Sequence, residues 1–67
     1  YPNPAAVGQK ITIDADIEFE RILVYNELGR LIMEPKMETF TLDRAGLYVL
    51  DIQFETGTNH RGTFIVQ

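Results

Sequence analysis

From Leu47 to Glu55 apolar side chains recur at every second residue, with Tyr48, Leu50, Ile52 and Phe54 on one side and Asp51 and Gln53 on the other. That period belongs to a β-strand buried on one face; a helix would scatter the same residues around its circumference. Shorter runs of the same kind fill much of the chain. Lys10 to Asp14 alternates polar and apolar residues. Arg21 to Tyr25 is β-branched and aromatic, and placing Ile22 and Val24 inward turns Leu23 and Tyr25 outward, either as a candidate interaction surface or beneath another layer or the Tyr1–Pro4 segment. Arg30 to Glu34 reads as the returning arm of a hairpin, Thr39 to Leu42 alternates again, and Gly62 to Gln67 is a final strand.

The breaks between these runs are turns. Asn26-Glu27-Leu28-Gly29 supplies glycine where a left-handed residue is needed. Asp43 to Gly46 and Thr56 to Asn59 turn the chain again, and Pro35 stops the strand before it. The prolines of Tyr1-Pro2-Asn3-Pro4 forbid a helix and predict an extended edge segment. About six or seven short strands separated by turns predict a sandwich or a barrel. A helix across Ala15 to Leu28 is the competing expectation, but it lacks a 3.6-residue apolar stripe, and Val24 and Tyr25 favour strand. No repeat, low-complexity tract or linker divides the 67 residues, which read as one domain. The chain opens at Tyr1 without methionine, which suggests a fragment or processed piece of something larger.

A domain of this length buries only about 60% of the surface its unfolded chain exposes. With no cysteine and one histidine, the usual disulfide and metal ligands are missing, so the 45% of apolar residues must hold the fold by packing. The net charge is −4 and no basic stripe tracks the chain, which argues against nucleic acid. No apolar run approaches the roughly 20 residues of a transmembrane helix.

Catalysis finds little to work with. The sequence holds neither serine nor cysteine, so the two commonest nucleophiles are missing. His60 reads as a solvated loop residue, since a chain this short leaves little room for a pocket around a general base. Asp14, Asp16, Glu18 and Glu20 form an acidic cluster, but a calcium loop starting at Asp14 would need glycine at Phe19 and glutamate at Tyr25. The cluster reads as a solvated edge that discourages strand pairing. Paired carboxylates for glycoside hydrolysis would need a cleft that the length does not supply. Gly8, Gly29, Gly46, Gly57 and Gly62 are scattered at turns rather than gathered into a phosphate-binding loop. No cofactor is expected, and no enzyme.

Four blocks, taken in order, carry a resemblance. They are Tyr1-Pro2-Asn3-Pro4-Ala5; Ile22 to Ile32 with its Tyr25 and Gly29-Arg30; Gly46-Leu47-Tyr48 followed by alternating aliphatics to Ile52; and Phe64-Ile65-Val66-Gln67. Together they resemble the type A C-terminal sorting domain of the type IX secretion system of Bacteroidetes, over the whole chain. The basic residues usual before the final strand are reduced here to Arg61, and the Asp14–Glu20 stretch is more acidic than the pattern. The resemblance implies an all-β fold, a small immunoglobulin-like antiparallel β-sandwich of about seven short strands. It also implies a signal carried through the periplasm and engaged by the outer-membrane translocon. A sortase-like cysteine protease then removes it, and the cargo is released or anchored at the cell surface.

On that reading Tyr1, Pro2, Asn3, Pro4, Gly29, Arg30, Ile65, Val66 and Gln67 are the recognition residues, with Ile65-Val66-Gln67 forming an accessible edge. Tyr25, Gly46 and Tyr48 are the structural motif. Strand edges also suggest weak self-association. The rival readings are a fibronectin-like or carbohydrate-binding accessory module, which the lack of tryptophan weakens, and a structural spacer or dimerisation unit.

Overall fold

Strands form where the alternating runs stand, although their ends shift. The structure, a computed structural model, describes residues 5–13 and 18–67. Its strands are β1 (Ile11–Thr12), β2 (Phe19–Asn26), β3 (Leu31–Met33), β4 (Thr39–Phe40), β5 (Gly46–Phe54) and β6 (Asn59–Val66). A four-stranded sheet runs in the order β3-β2-β5-β6, and β1 pairs with β4 in a second sheet. Every strand pair is antiparallel. The all-β sandwich expectation holds, and β2 occupies most of the Ala15–Leu28 stretch for which a helix was the competing expectation.

Register explains the core. Ile22 lies opposite Ile52 and Val24 opposite Leu50, while Tyr48 lies opposite Phe64 on the other side of β5. These residues share the inner face, where Ile22, Val24 and Leu50 are fully buried. Ile11, Ile13, Phe40 and Leu42 from the smaller sheet and its flanks complete the cluster. Each large aliphatic or aromatic side chain so buried contributes about 1.5–3 kcal/mol against the entropy of ordering the chain. Tyr48 adds a polar tie. Its ring stacks on Phe64 with centroids 5.6 Å apart. Its hydroxyl donates to the Arg44 carbonyl at 2.7 Å, the kind of tie-back seen in the tyrosine corner of immunoglobulin-type sandwiches.

Three expectations need correcting. β6 begins at Asn59, because the backbone turns earlier: the Gly57 amide donates to the Phe54 carbonyl and the Phe54 amide to the Thr58 carbonyl. His60 is therefore an exposed strand residue opposite Ile52 rather than a loop residue. Leu23 points away from the core and is nonetheless buried, as the covered alternative had it, while Tyr25 beside it is half-buried. Gly46 opens β5 instead of closing a turn.

The third correction concerns the final strand. Ile65-Val66-Gln67 is not an open edge: the Ala5 amide donates to the Ile65 carbonyl at 2.9 Å, the Gln67 amide to the Ala5 carbonyl at 2.8 Å, and the Val7 amide to the Gln67 carbonyl at 3.0 Å. Ala5 and Val66 thus form a parallel bridge on the side of β6 away from β5. The extended Tyr1–Pro4 segment and the Asp14 and Asp16 part of the acidic cluster lie outside the described residues, while Glu18 and Glu20 are exposed. No helix among the described residues is long and apolar enough to cross a membrane.

Candidate functional site

The β2–β3 turn is built around one side chain. The Asn26 Oδ1 accepts from the amides of Leu28 and Arg30, each at 3.0 Å. The Gly29 amide donates to the Asn26 carbonyl at 3.0 Å, and the Asn26 amide to the Arg30 carbonyl at 2.9 Å. Closing the turn this way requires a left-handed residue, and Gly29 adopts φ +82°. A Cβ there would meet nothing within 4 Å, so conformation and not crowding selects glycine. The same bonds fix the backbone of Arg30. Its exposed guanidinium has no partner among the described residues.

Beyond this turn lies the outer face of the large sheet. Tyr25, Val49 and Thr63 occupy one row across β2, β5 and β6, with Leu31 of β3 continuing it. Leu23, Asp51 and Arg61 form the neighbouring row. Arg61 leans diagonally, its guanidinium carbon 5.9 Å from the Tyr25 ring centroid. Tyr25, Gly29, Val49, Arg61, Gly62 and Thr63 enclose an open depression of about 610 Å³. No carboxylate lines it. Asp51 is the cross-strand neighbour of Arg61, but its buried Oδ1 has no hydrogen-bond partner, and no ion pair joins the two. Leu31, Leu47 and Ile65 expose between 42% and 47% of their surface around this face.

One exposed charge pair also lies on β2. The Arg21 Nη2 donates to Glu34 Oε1 at 3.1 Å, and Lys36 lies 3.5 Å from the other carboxylate oxygen. The hydrogen bond from Arg21 holds the Glu34 carboxyl below the usual carboxylate range, and the same bond raises the Arg21 guanidinium. Among the described residues no three histidine, aspartate or glutamate side chains converge in a way that would hold a metal ion.

The sequence-selected residues fall into separate places. Tyr25 and Gly29 meet at the depression, and Arg30 follows directly from Gly29. Tyr48 is in the core, and a Cβ added at Gly46 would lie 3.8 Å from its ring, in ordinary van der Waals contact. Val66 is buried at 2% exposure and is not a surface group, whereas the side chains of Ile65 and Gln67 are exposed. Tyr1, Pro2, Asn3 and Pro4 lie outside the described residues. Val49, Arg61, Gly62 and Thr63 complete the depression, and the sequence marks none of them as a recognition residue. Their signal, a two-residue period matched across three strands, appears once the register is known.

A comparison with protein families matches residues 1–67 to the secretion system C-terminal sorting domain. Comparison with curated proteins and with solved structures gives no match.

Proposed function

The chain belongs to the secretion system C-terminal sorting domain family, and on that footing we propose that it directs a cargo protein across the outer membrane and is then removed. Members of the family are non-catalytic signals for export through the type IX secretion system of Bacteroidetes, and they deliver cargo to the cell surface or beyond. The finer route is our reading. The cargo reaches the periplasm, the translocon engages the folded domain, and a sortase-like cysteine protease cuts upstream of it. The cargo is then released or anchored.

The observation that carries this reading is the family match across all 67 residues. The fold supports it, because the hydrogen-bonded turn Asn26 to Arg30 is presented at the surface, where a receptor can read it without unfolding the chain. Gly29 and Arg30 are proposed as recognition residues, with the exposed Ile65 and Gln67 side chains and the Tyr1–Pro4 element. Tyr25, Gly46 and Tyr48 hold the shape. Val66 acts through the core.

The test is a periplasmic reporter fused ahead of Tyr1 in a host with type IX secretion. The expected result is reporter at the cell surface with a mass showing loss of the domain. Reporter that stays periplasmic, with the domain folded and attached, refutes the proposal.

A further inference from the structure

We propose that the outer-face depression around Arg61 binds a carboxylate side chain on an apolar segment of a partner protein. This rests on the sorting function above and adds the chemistry by which a partner docks. Three observations converge. The Tyr25 ring supports the Arg61 guanidinium at 5.9 Å, a cation–π contact that holds the cation in place without consuming its N–H donors. Those donors meet no acceptor among the described residues. Finally, Gly62 and Gly29 line the depression without side chains, so an incoming group can approach the guanidinium edge.

Charge and shape decide which ligand fits. A planar guanidinium held by one face presents the paired donors that a carboxylate accepts through both oxygens. The lining contributes a cation and no anion, on a chain whose net charge is −4. An anionic membrane surface needs several clustered cations and would repel a chain of this charge. A protein segment needs one carboxylate flanked by apolar residues. The depression is bordered by such a surface, with Leu31 at one end of the sheet face and the cross-strand pair Leu47 and Ile65 at the other. The partner chemistry is therefore an aliphatic face bearing a single aspartate or glutamate.

The experiment titrates the isotopically labelled chain with a blocked peptide that alternates valine and threonine around one central glutamate. The amides of Tyr25, Val49, Arg61 and Thr63 should shift together, and the glutamine version of the peptide should bind about tenfold more weakly. Arg61→Gln should show the same loss while keeping the wild-type spectrum elsewhere, and Arg61→Lys should recover part of it. Equal binding of the two peptides, shifts located elsewhere, no binding at all, or inorganic phosphate binding as tightly as the peptide would each overturn the proposal. The exported reporter separates this from the sorting function. Wild-type export with no export of a folded Arg61→Gln fusion supports the docking site. Equal export of both sinks the docking site and leaves sorting standing, and failure of the wild type sinks sorting itself.

Discussion

Removing residues 65–67 should unfold this domain as well as silence it. Burial of Val66, at 2% exposure, is worth about 1.5–3 kcal/mol. The three backbone bonds that tie this segment to Ala5 and Val7 contribute about 0.5–1.5 kcal/mol each. Together these come to about 3–7.5 kcal/mol, against a total stability of about 3–10 kcal/mol for a chain of this length. The assay is thermal and urea unfolding followed by circular dichroism, with Gln67→Ala as the control that keeps the backbone and trims an exposed side chain. The truncated chain should lose about 20 °C or more from its midpoint, or show no transition, while the control stays within about 0.5 kcal/mol of wild type. A truncated chain melting within about 5 °C of wild type would refute the reasoning, because the parallel bridge would then carry no weight. Export lost on truncation is accordingly no measure of recognition. Substitutions at the exposed Ile65 and Gln67 side chains are the informative ones.

Other outcomes follow from single contacts. Tyr48→Phe keeps the stacked ring and deletes the bond to the Arg44 carbonyl, so calorimetry should show a midpoint lowered by about 4–8 °C, the equivalent of about 1 kcal/mol. No neighbour crowds a Cβ at Gly29, so Gly29→Ala should cost about 1–2 kcal/mol through its left-handed backbone alone, while Gly29→Asn costs less because asparagine tolerates that region; chemical denaturation measures both. The Glu34 carboxyl is lowered in the folded chain, so its contribution is present above the unfolded value and fades as pH falls through the folded one. Glu34→Gln should therefore flatten the acid side of the midpoint-versus-pH curve, by a small amount since the pair is exposed.

Much of the fold was legible because half-buried strands write their faces into a two-residue period. Tyr48, Leu50 and Ile52 lie on the inner face as the alternation requires, and Gly29 stands where the turn needs it. What escaped has physical causes. Glu20 and Ile32 are extra residues at irregularities in β2 and β3, and nothing local marks them. Leu23 alternates outward correctly, but its burial depends on neighbours brought beside it by register. The bridge between Ala5 and Val66 joins distant parts of the chain through backbone atoms, which carry no side-chain pattern. The depression escaped for a related reason. Tyr25 and Arg61 belong to strands separated by β5, and they meet through register and not through sequence spacing.

The central claim is that this folded chain is an address read by an export machine. Its most direct measurement is the surface-exposed fraction of a reporter joined ahead of residues 1–67, compared between cells with an intact type IX translocon and cells lacking it. The account predicts surface reporter in the first and periplasmic reporter in the second. Equal surface exposure in both, or periplasmic retention in both with the domain folded, would contradict it.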